Sequence, residues 1–189
     1  MKILVVGGNF AGSTAAMELK RKLKDKAEVT LIDRNENFVY IPSLIWVPIK
    51  RREVSEIIVP RKQVLEKRGV KFVLDTALKV EPDENKVYGE NGVYEYDHLI
   101  IATGPKVNFD IAPGIKENAC YIGTPPGAMH TREKLEEFKK NPGPIVIGAT
   151  QNAGCMGAAY EFLFNIEKWL REQNIRKKVD LYWVTPEPF

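Results

Sequence analysis

A glycine-rich turn and an acidic residue near the N-terminus have the types and spacing of a dinucleotide site. Residues 5–12 are VVGGNFAG, so Gly7, Asn9 and Gly12 occupy the three positions of a G-x-G-x-x-G pattern. These glycines permit a sharp turn, a close approach of backbone to pyrophosphate, and tight packing of helix on strand. Asn9 replaces the middle glycine, but asparagine tolerates positive φ and Gly8 adds freedom. Asp33 follows Gly12 by 21 residues, where an acid binds ribose hydroxyls and repels a 2′-phosphate.

A second strand-turn-helix pattern, IVIGATQNAGCMGAAYEF, begins at residue 145. Anchored at Gly148, the template places Thr150 where the backbone must approach pyrophosphate, and Ala153 at the third position. After the predicted last strand no acid follows before Glu187. A tight NAD site is therefore not expected in this half of the chain.

Cys155 is the residue with redox chemistry in this second pattern. We predict a helix from about Ala153 to Glu172, which places Cys155 in its first turn. Unpaired N–H groups and the helix dipole favour a thiolate there, and a thiolate attacks sulfur. The alternative is a small buried cysteine that packs the helix on its strand, and the residues alone favour that alternative.

The elements that position these residues alternate between strands and helices. The first predicted helix, Phe10–Leu23, follows the first strand, and a second covers Ile57–Arg68. Apolar runs predict strands at Lys2–Val6, Val29–Ile32, Val70–Leu74 and His98–Ala102, and alternation predicts an antiparallel meander at Thr76–Glu81, Lys86–Tyr88 and Val93–Tyr96.

The remaining segments complete the prediction. Residues 38–49 are too rich in proline for a helix and too apolar for a surface loop, so they should lie against something buried. A crossover at 106–124 leads to a short helix, Thr131–Lys139, and then to strands at Ile145–Ile147 and Val179–Val184. The fold class is α/β, with a Rossmann-like parallel sheet, a β-meander and the start of a second Rossmann-like domain.

Composition limits the classes of function. The 189 residues are 44% hydrophobic and 28% charged, with a net charge of +3, as in an ordinary soluble protein. Basic clusters fall where helix ends or loops meet water, so no nucleic-acid surface is expected. No apolar run approaches a membrane span, and two cysteines indicate a reducing compartment. The scattered cysteines and histidines have no metal-ligand spacing, so no metal is expected.

Four motifs together resemble the sulfide:quinone oxidoreductases and their close flavoprotein relatives. They are VVGGNFAG, FVYIPSL, YDHLIIATGPK and IVIGATQNAGCMGAAYEF, in this order. Each motif is weak alone, but their order and spacing are specific, and the resemblance covers nearly the whole chain. The wider superfamily includes the type II NADH dehydrogenases.

The resemblance implies that the first loop binds FAD and that Asp33 binds the adenosine ribose. The turn Ala102-Thr103-Gly104 would close over FAD, and Tyr40, Pro42 and Ser43 would line the flavin ring, unless that apolar loop only packs against other protein. The implied cofactor-binding set is Gly7, Gly8, Asn9, Phe10, Ala11, Gly12, Asp33, Arg34, Pro42, Ala77, Ala102, Thr103 and Gly104. Cys155 matches a redox cysteine of the family, so the resemblance favours its catalytic role.

The implied activity is electron transfer from sulfide through Cys155 and FAD to a quinone. Many family members carry another cysteine directly before the Thr-Pro of the crossover, whereas this chain has Gly123, with Cys120 three residues earlier. We therefore expect Cys120 to be structural or incidental. The alternatives are an NADH:quinone flavoprotein, or a non-catalytic flavin-binding or assembly subunit completed by a partner chain.

Proteins of this family continue well beyond the position that corresponds to residue 189. We therefore expect this chain either to be a fragment of a longer protein or to be completed by a partner chain. We expect an FAD-binding domain at 1–112 and a partial second, NAD(P)-binding-like domain at 113–189. A two-strand second sheet leaves apolar faces open, so a second copy or a partner chain should cover them. The expected location is cytoplasmic, or peripheral on the inner face of the cell membrane through a missing C-terminal part.

Overall fold

The computed structural model describes residues 1–187, which contain eleven strands and five α-helices. The strands are β1 Lys2–Val6, β2 Glu28–Asp33, β3 Asn37–Val39, β4 Ile58–Pro60, β5 Lys71–Leu74, β6 Ala77–Glu81, β7 Lys86–Gly89, β8 Val93–Glu95, β9 His98–Ile101, β10 Ile145–Gly148 and β11 Leu181–Val184. The helices are α1 Phe10–Leu23, α2 Arg61–Glu66, α3 Ile115–Asn118, α4 Pro125–Phe138 and α5 Met156–Glu172.

Two compact units divide the chain, and each contains a parallel sheet. The first comprises Met1–Val39 and Ile58–Val107, and the second comprises Tyr40–Ile57 and Asn108–Phe189. The segment Tyr40–Ile57 thus leaves the first unit and packs with the second.

The first unit is a four-stranded sheet of order β5-β2-β1-β9 with every neighbouring pair parallel. Alternate residues of β1 face its two sides, as the strand period requires. Ile3 and Val5 belong to a core on the side of α1 and α2, while Leu4 and Val6 pack towards the meander. Both faces of this parallel sheet are therefore covered.

The predicted meander is confirmed, because β6, β7 and β8 pair antiparallel in that order. It covers one face of the sheet through Val87, which is fully buried in the same cluster as Leu4, Val6 and Ile32. The predicted α/β class with a Rossmann-like parallel sheet is also confirmed.

The second unit pairs β10 and β11 in parallel and packs α5 against them. Phe162, Ile166 and Trp169 lie on the buried face of that helix. Ile45 and Ile49 enter the same core, so residues 44–49 lie against buried structure as expected, whereas Tyr40, Ile41 and Pro42 are exposed. The expectation that residues 38–49 avoid helix is wrong, since Ile41–Trp46 forms a 3-10 helix.

The starts of α2 and α4 differ from the sequence predictions. Residues predicted to begin a helix at Ile57 form β4 instead, because Ile58–Pro60 pairs antiparallel with Asn37–Val39. In the second unit α4 starts at Pro125, not at Thr131. The Thr124 hydroxyl accepts a hydrogen bond from Gly127 N at 3.2 Å, and proline suits the first helical turn.

Candidate functional site

The first loop joins β1 to α1 in three residues, Gly7, Gly8 and Asn9. Gly7 adopts φ +94°, and its N–H donates to Ile32 O at 2.8 Å. A Cβ on Gly7 would lie 2.4 Å from Ala102 O. Both its φ and this contact therefore require glycine at the start of the turn.

The other two glycines of the loop are required by close contacts. A Cβ on Gly12 would lie 1.7 Å from Gly7 O, so this glycine allows α1 to begin directly against the turn. A Cβ on Gly8 would lie 2.7 Å from Leu31 Cδ2, because Gly8 is pressed onto β2.

Asn9 precedes α1 as its N-cap residue, with φ −83°. The expectation that a positive φ at Asn9 helps to close the loop is wrong, because Gly7 supplies that conformation. The Oδ1 atom of Asn9 is buried and has no hydrogen-bond partner within residues 1–187. Phe10 and Ala11 then open the helix, where the first-turn N–H groups and the dipole favour an anion.

Asp33 ends β2, the strand beside β1, and its carboxylate faces the first loop. Its Oδ2 accepts the Gly8 N–H at 2.6 Å, and its Oδ1 accepts the Asn35 N–H at 2.7 Å. Arg34, the next residue, is exposed. The structure therefore brings the predicted acid to the predicted loop.

Arg61 is a member of this site that the sequence did not reveal. Its side chain is only 3% exposed, and Nη1 lies 3.3 Å from Asp33 Oδ1. Burial lowers the pKa of the guanidinium, and the nearby Asp33 carboxylate opposes that shift. Neither periodicity nor motif marks a buried arginine at the start of a six-residue helix.

The Ala102-Thr103-Gly104 turn follows β9, the other neighbour of β1. Ala102 N donates to Val6 O at 2.7 Å, and Ala102 O lies against Gly7. Gly104 has φ +72° and no heavy atom within 4 Å of the place where a Cβ would be. The predicted turn thus flanks the glycine loop at the carboxyl edge of the sheet.

Ala77 follows β5, the strand on the far side of β2. Just before it, Asp75 N donates to Asp33 O at 3.1 Å, which brings the meander to the same edge. Pro42, by contrast, lies exposed in the 3-10 helix of the second unit, beside Ser43 and Tyr40.

A buried polar network that the sequence did not reveal lies beside Ala77. Asp75 is 3% exposed, and its carboxylate accepts hydrogen bonds from Tyr94 Oη at 2.5 Å, Thr76 N at 2.8 Å and Asn91 Nδ2 at 3.0 Å. The Tyr94 hydrogen bond lowers the pKa of Asp75. Burial, with that same bond, raises the pKa of Tyr94 to about 12.

The second loop has a different construction. Seven residues, 149–155, separate β10 from α5, and Asn152 has φ +61°. A Cβ on Gly148 would lie 2.0 Å from Val184 O, so this glycine allows two strand ends to approach each other. The prediction of a helix from Ala153 is wrong, because the chain is extended at Cys155 (φ −152°, ψ 102°).

Cys155 is therefore the N-cap residue of α5, and the expectation that it lies inside the first turn is wrong. Its thiol is exposed, which contradicts the alternative of a buried packing cysteine. A Cβ on Gly157 would lie 3.8 Å from Sγ, and Gly157 carries no side chain to cover the sulfur. Cys120, also in the second unit, is exposed too, and both cysteines are free thiols.

The carboxyl end of β11 carries Thr185 where β2 carries Asp33. Ala149 N donates to Val184 O at 3.2 Å, as Gly7 N donates to Ile32 O at 2.8 Å, so the two loops correspond in register. Glu187 accepts hydrogen bonds from the hydroxyls of Tyr160 and Thr185, and the Tyr160 ring stacks on Trp183 with centroids 4.4 Å apart. Within residues 1–187 no group of acidic, cysteine or histidine side chains is placed to hold a metal ion.

The parallel sheet, the glycine turn at its carboxyl edge and the acid on the adjacent strand define the Rossmann class of dinucleotide-binding folds. Residues 1–159 match the family model of the pyridine nucleotide-disulphide oxidoreductases. The chain belongs to that family, whose members bind FAD, and this confirms the predicted cofactor.

The relatives confirm the predicted family resemblance. The chain is 37% identical over 188 residues to the sulfide-quinone reductase of Aquifex aeolicus, with 99% of the chain and 43% of that protein covered. It is 32% identical to the mitochondrial sulfide:quinone oxidoreductase of Dictyostelium discoideum, with 95% and 41% covered. The chain thus spans less than half the length of these relatives.

A solved structure agrees with these sequence relatives. The crystal structure of the Aquifex aeolicus sulfide:quinone oxidoreductase superposes with a TM-score of 0.94 at 36% identity, covering 100% of this chain and 44% of that one. Among the described residues, no helix is long and apolar enough to cross a membrane.

Proposed function

We propose that this chain carries the FAD-binding part and a redox cysteine of a sulfide:quinone oxidoreductase-like enzyme, which passes electrons from sulfide to a quinone. The observation that carries the proposal is the exposed Cys155 thiol at the N-cap of α5. In Rossmann folds a strand, turn and helix of this kind bind a dinucleotide, whereas here the loop before α5 ends at an exposed cysteine. The whole-chain likeness to two sulfide-quinone reductases supports the substrate class.

The residues of the first loop fit FAD. Gly7, Gly8 and Gly12 stand where a side chain would obstruct the turn, and α1 directs its N-terminus at the place where pyrophosphate would lie. Asp33 would accept the ribose hydroxyls. We assign the same cofactor to the remaining members of the predicted set, Asn9, Phe10, Ala11, Arg34, Pro42, Ala77, Ala102, Thr103 and Gly104. Bound FAD supplies a two-electron acceptor.

Cys155 is the proposed sulfur nucleophile. Its exposed Sγ is open to an incoming sulfide. Because a thiolate and sulfide are both nucleophiles, an S–S bond between them would form only as two electrons pass to an acceptor, which bound FAD would supply. The unpaired N–H groups of the first turn of α5 begin directly after Cys155, although its thiol makes no capping hydrogen bond to them. Cys120 is the control thiol, because it is also exposed but is not the N-cap residue of a helix.

The rival functions are an NADH:quinone flavoprotein and a non-catalytic flavin-binding subunit. The second loop argues against NADH, because Thr185 stands where an acid would bind ribose, and Gly148 serves a strand contact. The non-catalytic alternative predicts bound FAD that sulfide cannot reduce.

Anaerobic visible spectroscopy distinguishes these functions. The purified chain is supplied with FAD, freed of excess cofactor, and titrated first with sulfide and then with NADH. We expect sulfide to bleach the flavin in the wild type and in Cys120→Ser, but not in Cys155→Ser. Bleaching by NADH alone establishes the first rival, and FAD that resists both reductants establishes the second. A sulfide response that survives in Cys155→Ser removes the role given to this cysteine.

We also propose that a second copy or a partner chain covers the open apolar faces. Phe164, Val146, Tyr182 and Val184 are each more than half exposed on the second unit, although β10 and β11 form a parallel sheet. A monodisperse monomer in solution contradicts this proposal. Because quinones are lipid-soluble, the proposed enzyme would meet the inner face of the cell membrane through other parts of the protein. The proposed domains are residues 1–112 and 113–189.

A further inference from the structure

Arg61 is a buried charge beside the first loop that neither the motif nor the proposed chemistry accounts for. Its side chain is 3% exposed, and it begins the short helix α2 in the first unit. Burying a guanidinium is costly unless its donors are paired. Its partners therefore show what the residue does.

The guanidinium fork holds the segment that follows β2 at three points. Nη1 lies 3.3 Å from Asp33 Oδ1 and also donates to the carbonyl of Asn35, and Nη2 donates to the carbonyl of Asn37 at 3.0 Å. Alternate residues of one turn thus converge on a single planar group. A lysine ammonium has no rigid fork with which to hold all three.

The same arginine also reaches the glycine loop. Asp33 Oδ2 accepts the Gly8 N–H at 2.6 Å, so the acid connects Arg61 to the loop backbone. The Cδ and Nε atoms of Arg61 lie 3.0 Å and 2.9 Å from the place where a Gly8 Cβ would be. One side chain therefore lies against both the glycine loop and the acid of the predicted FAD site.

Stability alone does not account for this arginine. Its Nε is buried and has no hydrogen-bond partner within residues 1–187. An unsatisfied buried donor costs free energy, and a well-packed apolar side chain would leave none. Unlike an apolar side chain, Arg61 provides a planar guanidinium whose donors have a fixed geometry.

We propose that Arg61 is a positioning residue for dinucleotide binding, which holds the Asp33 carboxylate and residues 33–37 in the arrangement that receives the adenosine ribose. This inference rests on the proposed FAD site. The buried guanidinium contacts no ligand itself, and acts through Asp33 and the loop. The group received is a ribose with free hydroxyls, because a 2′-phosphate would meet the Asp33 carboxylate.

The variants are Arg61→Lys, which keeps the charge without the fork, and Arg61→Met, which keeps most of the apolar stem. Leu65→Ala is the matched control, since Leu65 is on the same helix, is 1% exposed and touches the hydrophobic core. FAD dissociation constants come from fluorescence titration, and stability from urea unfolding. Amide hydrogen exchange of Gly8 and Asn35, whose N–H groups both donate to Asp33, is measured without ligand.

We expect Arg61→Lys to weaken FAD binding by about tenfold or more, as loss of a residue that orients a ligand-binding group does. In Arg61→Lys, amide hydrogen exchange at Gly8 and Asn35 should be faster than in Leu65→Ala, when the two variants are compared at the same free energy of unfolding. Leu65→Ala should lower the urea midpoint while FAD affinity stays within about twofold, because its cavity is in the core.

Two results separate this inference from the proposed function. Wild-type affinity and wild-type exchange in Arg61→Lys overturn the positioning role, even if the wild type binds FAD. A wild-type chain that refuses FAD overturns the proposed function, and the exchange data then still decide whether Arg61 orders Asp33. Arg61→Met, if it folds, should show the larger exchange change.

Discussion

The chain builds a strand, a turn and a helix twice, and the two versions differ in what their turns contact. Three residues connect β1 to α1, whereas seven connect β10 to α5. In the first turn a Cβ on Gly7, Gly8 or Gly12 would collide with neighbouring atoms. In the second, a Cβ on Gly154 would meet no heavy atom within 4 Å.

The acids that follow the second strand of each unit differ in the same way. Asp33 is joined to a loop N–H and to a buried arginine, whereas Glu187 makes hydrogen bonds with the exposed Tyr160 and with Thr185. A shared strand-turn-helix frame therefore does not imply a shared ligand. The tight turn and the acid at the end of the adjacent strand are features of a dinucleotide site, and the open turn leaves room to present Cys155.

The largest expected difference between the turns comes from alanine at matched glycines. Gly12 and Gly154 each lie five residues after the loop residue that donates to the neighbouring strand, Gly7 and Ala149 respectively. Gly12→Ala should abolish FAD binding and destabilise the first unit, because the added Cβ would lie 1.7 Å from Gly7 O. Gly154→Ala should leave the unfolding midpoint and FAD affinity unchanged. FAD titration and thermal unfolding of both variants provide the measurement. If Gly12→Ala and Gly154→Ala change FAD affinity and the unfolding midpoint equally, the two turns do not differ in their need for glycine.

A smaller difference is expected from neutralising the first acid found at or after the end of each second strand, Asp33 for β2 and Glu187 for β11. Asp33→Asn leaves the buried Arg61 without its carboxylate, and breaking a buried ion pair costs about 3 to 5 kcal/mol. Glu187→Gln removes a charge from an exposed contact, so its unfolding free energy should equal that of the wild type within error. Urea unfolding of the ligand-free variants measures both. If Asp33→Asn lowers the free energy of unfolding only slightly, the Asp33–Arg61 ion pair does not stabilise the first unit.

Sequence reasoning found the parts of the site that follow the chain locally. The glycine turn, Asp33 and the Ala102-Thr103-Gly104 turn were predictable because strand ends of a parallel sheet meet at one edge, and each carries its own residue pattern. Cys155 was found through resemblance, but its exact place was not. The helical spacing of small residues extends back to Ala153, which is why the sequence predicts a helix that begins there. Asn152 has φ +61°, however, and the helix begins only at Met156.

Residues that act across the sheet were not predictable. Arg61 follows β4, a strand predicted as helix, and its partners lie up to 28 residues earlier in the chain, at Asp33. Asp75 accepts a hydrogen bond from Tyr94 because the meander folds back over the same sheet. Such contacts are set by tertiary packing, and no local propensity or short motif encodes them.

The smallest expected difference concerns two tyrosines that donate to carboxylates, Tyr94 to Asp75 and Tyr160 to Glu187. Burial, together with the hydrogen bond to Asp75, raises the pKa of Tyr94 from 10.0 to about 12. The neutral, hydrogen-bonded phenol therefore stabilises the fold fully below pH 10, and this contribution is lost as the pH rises towards 12. Tyr94→Phe should cost about 1 to 2 kcal/mol at neutral pH, because a hydrogen bond to a buried carboxylate is removed.

The gap between wild type and Tyr94→Phe should close between pH 10 and 12, since only the wild type loses the bond by ionisation. Tyr160→Phe is the control: its phenol also has a raised pKa, chiefly through the hydrogen bond to Glu187, but the pair is exposed to solvent. Its unfolding curve should follow that of the wild type across the same pH range. Urea unfolding at several pH values tests both, and a pH-independent gap for Tyr94→Phe would mean that its effect comes from packing and not from the bond to Asp75.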